Sequence, residues 1–164
     1  HYVGRTFIEP TQQIRSLGVK LKHNVNKSLI RNKSLILIDD SLVRGTTSIK
    51  IIKMLYEAGA KEVHLRIASP PIKYPDYYGI DTPDENELLA SKNNIEEMRK
   101  IVNAKTLKFL SIEGLYKSMG YEKRNSSYPQ FTDHCFTGDY PIRPLDLNDK
   151  DFMDSQLSFM KSKS

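Results

Sequence analysis

The sequence has few of the features that mark a secreted or membrane protein. Only one of its 164 residues, Cys135, is a cysteine, so no disulfide can form within the chain and a reducing compartment is expected. No hydrophobic run approaches the roughly 18 residues of a membrane span, and no stretch resembles a signal peptide. We therefore predict a cytoplasmic location and no membrane partner.

Two common nucleotide-binding motifs are absent as well. The chain contains neither the P-loop pattern G-x-x-x-x-G-K-[ST] nor the dinucleotide pattern G-x-G-x-x-G, which excludes both of these phosphate-binding loops. The composition, 38% hydrophobic and 27% charged, is typical of a single globular domain with a sizeable core. Because the chain starts at His1 rather than at a methionine, we expect it to be a piece of a longer polypeptide.

Positive charge is concentrated at the front of the chain. Residues 1–34 hold seven lysines and arginines against one acid, Glu9, whereas the net charge of the whole chain is +5. A solvated surface, a nucleic-acid contact and a small polyanionic ligand all fit such a segment. Since no aromatic stacking pattern or DNA-reading motif accompanies the charge, we predict no nucleic-acid partner.

The hydrophobic pattern predicts alternating strands and helices. Strands are predicted over 35–38, 63–68 and 106–110. Helices are predicted over 48–58, 82–91 (with Thr82 as its cap), 94–102 and 111–119. The pattern ends at Gly120, and a loop is predicted over 122–128. The run at 35–38 is short and continuously aliphatic, as in a fully buried strand, and Gly59 stands where a helix C-cap belongs. Strands and helices joined by short connections indicate an α/β fold with a parallel sheet.

Two adjacent aspartates, Asp39 and Asp40, stand at the end of the first predicted strand. In open α/β sheets, ligands bind beyond the carboxyl ends of the strands. The turn that follows leads into a helix, whose unpaired N–H groups and partial positive charge suit a phosphate. Gly45 lets the backbone approach a ligand closely, and hydroxyl donors follow at Thr46, Thr47 and Ser48.

Carboxylates beside a phosphate are repulsive unless they have another role. Asp39 and Asp40 fit the site if they bind sugar hydroxyls, or a Mg²⁺ that also contacts phosphate oxygens. The predicted ligand is therefore a phosphorylated ribose. The alternative is that the two aspartates only end a strand and begin a turn.

Several sequence blocks resemble one enzyme family. The stretch LILIDDSLVRGTT (35–47) is similar to the phosphoribosyl-diphosphate (PRPP) fingerprint of type I phosphoribosyltransferases. Further blocks resemble, in the same order, those of the glutamine amidophosphoribosyltransferase family: HYVGRTFIEPTQQIR (1–15), AGAKEVHLRIASPPI (58–72), YGIDTP (78–83), FLSIEGL (109–115) and CFTGDYP (135–141). The resemblance covers about residues 1–141.

The resemblance implies a fold and an activity. The fold is that of a type I phosphoribosyltransferase, a Rossmann-like parallel sheet with flanking helices, present here as a partial domain. The activity is a pentosyl transfer in which ammonia displaces pyrophosphate from PRPP to give 5-phosphoribosylamine, the first step of de novo purine synthesis. The family takes this ammonia from a glutaminase domain, which nothing in this chain matches. Purine nucleotides are implied as feedback inhibitors, and a homo-oligomer as the assembly.

The resemblance also implies roles for individual residues. It assigns Asp39 and Asp40 to the ribose hydroxyls and to Mg²⁺. It assigns the following turn to the 5-phosphate, namely Ser41, Arg44, Gly45, Thr46 and Thr47. The basic front segment resembles a mobile loop of the family that closes over PRPP. Within it, Arg5 and Lys22 are candidates for stabilising the pyrophosphate charge, and Phe7 and Ile8 for lining an ammonia passage.

The resemblance divides the chain into four segments. These are a mobile basic loop segment over 1–34, the core of the phosphoribosyltransferase domain over 35–119, a C-terminal family block over 120–145 and a polar tail over 146–164.

One departure from the family concerns a metal cluster. Some members carry a four-cysteine iron–sulfur cluster, and two of its cysteine positions correspond to Asp76 and Thr132 of this sequence. Neither residue can bind iron as a thiolate. We therefore predict no iron–sulfur cluster. Separately, we predict an inert thiol at Cys135 and a structural role for His64 on its strand.

Two other functions stay open at this point. A salvage enzyme that attaches a nucleobase would share LILIDDSLVRGTT, but it has no reason to carry YGIDTP, FLSIEGL and CFTGDYP together. A PRPP-binding regulator without catalytic activity would tolerate loss of the mobile loop, whereas GRTFIEPTQQIR is intact here.

Overall fold

A computed structural model describes residues 26–80 and 82–142 of the chain. Its strands are β1 (Ser34–Asp39), β2 (Glu62–Ile67) and β3 (Thr106–Phe109). Its helices, in chain order, are α1 (Lys27–Ile30), α2 (Thr46–Glu57), α3 (Leu89–Lys92), α4 (Ile95–Val102), α5 (Ile112–Ser118) and α6 (His134–Thr137), with a 3-10 turn (Glu85–Glu87) before α3.

The three strands form one parallel sheet in the order β1-β2-β3. In its register Leu37 lies beside Leu65, and Leu65 lies beside Leu107. Helix α2 connects β1 to β2, and α3 and α4 lie on the connection from β2 to β3. The predicted α/β class and all three predicted strands are confirmed, and no strand end differs from its prediction by more than one residue.

The core lies between one face of this sheet and the helices α2 and α4. Leu65 of β2, Ile52 of α2 and Val102 of α4 are completely buried. Met98 of α4 and Leu107 of β3 belong to the same cluster. Burial of these aliphatic side chains fixes α2 against the sheet, and with it the position of the turn between β1 and α2.

The opposite face of the sheet is apolar on β1 and polar on β2. Along β1, exposed and half-buried residues alternate, and Ile36 and Ile38 are 66% and 71% exposed. The prediction of a fully buried strand is therefore wrong for this part of the chain, because β1 is an edge strand there and no described element covers its isoleucines. On β2, His64 Nδ1 lies 2.9 Å from Thr106 Oγ1, in keeping with the structural role predicted for this histidine.

Local capping explains which helix predictions hold. Asn94 caps α4 in a capping box with Glu97, as expected for a helix over 94–102. The single helix predicted over 82–91 is wrong: a 3-10 turn and the short α3 stand in its place. Thr82 does not cap a helix, because its hydroxyl accepts the Asp76 N–H at 2.6 Å. Within the described ranges, no helix has the length and hydrophobicity needed to cross a lipid bilayer.

Candidate functional site

The carboxyl end of β1 holds two neighbouring carboxylates. The Asp39 carbonyl accepts the Ala68 N–H at 2.9 Å, which ties the ends of β1 and β2 together. Asp39 is half-buried, whereas Asp40 follows the strand and is exposed. The Asp40 N–H donates to Asp39 Oδ1 at 3.1 Å, and the Ser41 hydroxyl donates to Asp40 Oδ1 at the same distance. Both carboxylates therefore lie at the edge of the sheet where α/β proteins bind ligands.

The start of α2 lies directly beyond these carboxylates. Gly45 is its N-cap with φ of +77°, in the left-handed region that glycine adopts without steric cost. The first N–H groups of a helix have no intrahelical partner, and no side chain caps those of α2. Thr46 at this helix start is exposed, whereas Ser48 is 2% exposed and its hydroxyl is buried. The exposed residues Arg44 and Thr46 leave this helix start open to an anion.

The turn between β1 and α2, residues 41–45, rests on the segment around α3. Arg44 donates to Glu87 Oε2 through Nε at 2.8 Å and also through Nη2. The Leu89 N–H donates to the Val43 carbonyl at 2.8 Å. A Cβ placed on Gly45 would come within 3.0 Å of Leu89 Cδ2. Sequence reasoning missed these contacts, because no local pattern pairs residues more than 40 positions apart.

The residues predicted to bind the sugar and its phosphate are brought together in one continuous turn. They run from the end of β1 into the first turn of α2: Asp39, Asp40, Ser41, Arg44, Gly45, Thr46 and Thr47. Arg5 and Lys22, the candidates for the pyrophosphate charge, lie outside the described residues. Phe7 and Ile8 lie outside them too, and their roles stay predictions.

A second polar cluster surrounds Asp76, whose side chain is 2% exposed. Its Oδ1 accepts the N–H groups of Tyr78 and Ile80, each at 2.8 Å. Its Oδ2 lies 2.7 Å from His134 Nε2 and 3.9 Å from Cys135 Sγ. The carboxylate is therefore occupied by four donors, two of them from a distant part of the chain.

The electrostatics of this cluster favour hydrogen bonds over thiolate ligation of a metal. Burial works against ionisation of Asp76, but the N–H groups of Ile80 and Tyr78 and the contact with His134 lower the pKa of its carboxyl. Burial, followed by the nearby Asp76, raises the pKa of Cys135 to about 11, which keeps the thiol neutral at pH 7. Asp76, His134 and Cys135 bring three donor atoms within 4.8 Å of one another. This donor set does not fit a cluster held by cysteine thiolates.

A third cluster anchors the segment after α5. Asp133 is 4% exposed and accepts hydrogen bonds from Arg124 Nε at 2.5 Å and from the Tyr116 hydroxyl at 2.9 Å. Arg124 also donates to Asp139 Oδ2 at 2.6 Å. Burial raises the pKa of Asp133, but the bonds from Arg124 and Tyr116 outweigh it and lower the pKa. These bonds hold residues 124–139 against α5, in a region where the sequence pattern predicted no structure beyond a loop over 122–128.

The chain is similar over nearly its whole length to known enzymes. It is 60% identical over 163 residues to an amidophosphoribosyltransferase of Rhizobium etli, covering 99% of this chain and 33% of that enzyme. It is 50% identical over 160 residues to amidophosphoribosyltransferase 2, chloroplastic, of Arabidopsis thaliana, covering 96% of this chain and 28% of that protein. The chain thus spans about a third of the length of these curated relatives. No family model matches it.

A solved structure shares the fold. The glutamine PRPP amidotransferase of Bacillus subtilis, complexed with ADP and GMP, superimposes with a TM-score of 0.71 at 48% identity, covering 87% of this chain and 31% of that one. This similarity confirms the type I phosphoribosyltransferase fold as a partial domain. By sequence and fold together, the chain matches the C-terminal portion of amidophosphoribosyltransferases.

Proposed function

We propose that this chain is the phosphoribosyl-transfer part of an amidophosphoribosyltransferase, which forms 5-phosphoribosylamine and pyrophosphate from PRPP and ammonia in the first step of de novo purine synthesis. The observation that supports this proposal most directly is the position of two carboxylates at the carboxyl end of β1. The uncapped start of α2 follows them at once. Both features suit a sugar that carries a phosphate, and 60% identity to an amidophosphoribosyltransferase supports the proposed reaction.

The turn at 39–47 would hold the ribose 5-phosphate end of PRPP. The hydroxyls of the ribose are bound by Asp39 and Asp40, and the 5-phosphate by the backbone N–H groups of 41–47 with the hydroxyls of Thr46 and Thr47. Arg44 adds a positive charge beside the phosphate. Fixing the sugar in this way orients its first carbon toward the incoming ammonia.

The exposed Asp40, with Asp39 beside it, offers the oxygen ligands that Mg²⁺ prefers. These two carboxylates would hold the ion, which would supply positive charge near the departing pyrophosphate. The protein's own contribution is to hold the ribose still and to supply cations around the diphosphate. Arg5 and Lys22 are our candidates for these cations, within the basic segment over 1–34.

The partners of the complete protein follow from the same assignment. A glutaminase domain elsewhere in that protein supplies the ammonia. Purine nucleotides act as feedback inhibitors, a proposal supported by the Bacillus subtilis relative solved with ADP and GMP. We further propose a homo-oligomer that works in the cytoplasm and contains no iron–sulfur cluster.

The direct test is turnover by the complete polypeptide that contains this chain, with PRPP, Mg²⁺ and ammonia. We expect phosphoribosylamine, and we expect Asp40→Asn to lower its formation at least about a hundredfold. Glu113→Gln, an exposed change on α5, is the matched control and should keep full activity. Nucleotide formation from a free base would instead identify a salvage enzyme, and PRPP binding without turnover a regulator. Normal activity of Asp40→Asn would refute the assigned site.

The proposed lack of a cluster is tested by analysing the purified protein for iron and acid-labile sulfide. Neither is expected in stoichiometric amount, and Thr132→Ala should leave activity unchanged because Thr132 is exposed. A cluster chromophore in protein purified without oxygen would overturn this part of the proposal.

A further inference from the structure

We infer that Glu87 is a positioning residue for the phosphate-binding turn, acting through Arg44. The inference rests on the proposed PRPP site and adds to it a residue that lies outside the 39–47 fingerprint. Glu87 ends the 3-10 turn (Glu85–Glu87) and lies 43 positions from Arg44 in the sequence.

The contact fixes one edge of the Arg44 guanidinium. Glu87 Oε2 accepts from both Nε and Nη2 of Arg44. A guanidinium has five N–H donors in one plane, so this contact leaves the Nη1 hydrogens and one Nη2 hydrogen for another acceptor. A phosphate held by the turn is the acceptor that these donors suit.

The backbones on both sides of this contact are also fixed. The Leu89 N–H bonds the Val43 carbonyl at 2.8 Å, one residue before Arg44. Gly45 packs directly against the Leu89 side chain. On the other side, the Ser91 hydroxyl donates to the Glu85 carbonyl at 2.7 Å and holds the 3-10 turn. Arg44 and Glu87 thus face each other from segments whose separation is set by other contacts.

The degree of exposure indicates a role in binding more than in folding. The side chains of Arg44 and Glu87 are 46% and 54% exposed, and an ion pair in such a position contributes little to stability. An arginine that is already oriented, however, loses less side-chain entropy when the phosphate binds. Glu87 should therefore raise the affinity for PRPP and leave the chemical step unchanged.

The test compares variants of the complete enzyme in ammonia-dependent turnover. Glu87→Gln should raise KM for PRPP about fivefold, the size expected for one solvent-exposed ion pair, with kcat unchanged. Glu87→Asp should restore most of the affinity, because it restores the charge. Glu85→Gln, on the same 3-10 turn, is the matched control and should behave as the unmodified enzyme.

A double variant separates positioning from a general structural effect. If Glu87 acts through Arg44, then Glu87→Gln should raise KM no further once Arg44→Gln is present. Independent, multiplying effects of the two changes would overturn the inference, as would an unchanged or lowered KM in Glu87→Gln alone. If Asp40→Asn is also fully active, the proposed PRPP site itself fails, a result distinct from failure of Glu87 alone.

Discussion

Asp76 Oδ2 lies 2.7 Å from His134 Nε2, and this contact joins two segments that are 58 residues apart. Both side chains are almost completely buried, at 2% and 4% exposure. Neighbouring contacts support the same connection: the N–H groups of Lys73 and Tyr74 donate to the Cys135 carbonyl, at 2.9 and 3.1 Å. We refer to the contact between Asp76 and His134 as the 76–134 joint.

Asp76→Ala should open the 76–134 joint. A buried donor left without its acceptor typically costs about 1–3 kcal/mol, and Asp76 accepts from the Tyr78 and Ile80 N–H groups and contacts His134. A total of about 3 kcal/mol corresponds to roughly a hundredfold in an opening equilibrium. Hydrogen exchange measures this locally: the amides of Lys73 and Tyr74 should exchange about a hundredfold faster. Asp84→Ala, at an exposed position, is the control and should leave this exchange unchanged. If the Lys73 and Tyr74 amides were equally protected from exchange in both variants, the joint would contribute nothing to this connection.

The joint should weaken in acid. Because the pKa of Asp76 in the folded protein lies below its ordinary value of 3.8, the ionised carboxylate stabilises the folded state above that value. This contribution is lost as the pH falls through the lower pKa of the folded protein. Protection of the Lys73 and Tyr74 amides should therefore decrease below about pH 4. In Asp76→Asn the decrease should be smaller, and some decrease should remain because Asp133 still titrates in this pH range. An identical decrease in the variant would contradict the assignment to Asp76.

Tyr116→Phe should destabilise the segment after α5. The change removes the hydroxyl that donates to Asp133 Oδ2 at 2.9 Å while leaving the Arg124 contacts in place. The expected cost is about 1 kcal/mol, the typical value of one hydrogen bond. Hydrogen exchange of residues 133–138 is the measurement. Tyr121→Phe serves as the control, because the Tyr121 side chain is 41% exposed and its hydroxyl should contribute little.

Gly45→Ala should impair the phosphate-binding turn. The new Cβ would be strained at φ of +77° and would meet Leu89 Cδ2 at 3.0 Å. A cost of about 1–2 kcal/mol is expected from the left-handed backbone alone, and we expect KM for PRPP to rise about tenfold as the turn shifts. Gly79→Ala is the matched control: it has φ of +120° but open space around its Cβ. Its KM should stay unchanged even if its stability falls.

The sequence indicated the features that depend on neighbouring residues. A helix was predicted over 94–102, where α4 lies, and Gly59 was expected just past α2, where its φ is +94°. The two aspartates and the helix start after β1 were likewise local signals. Together these were enough to predict the parallel sheet and the turn that carries the candidate site.

Features set by distant contacts were not predictable. Thr82 looked like a helix cap, but Asp76 uses its hydroxyl instead. The pairing of Arg44 with Glu87 and the short helix α6 (His134–Thr137) depend on tertiary packing as well. The prediction that β1 is fully buried was wrong for the same reason. Hydrophobicity indicates what a strand prefers to contact, but it does not show which neighbour is present.

The 76–134 joint forms from the polypeptide alone. A carboxylate and an imidazole come with the polypeptide and meet as soon as it folds, so the connection requires no assembly machinery and no supply of iron or sulfide. Under our proposal that the protein has no iron–sulfur cluster, dioxygen finds no inorganic group to oxidise at this position. Two segments connected in this way stay connected in aerated and in anaerobic cells alike.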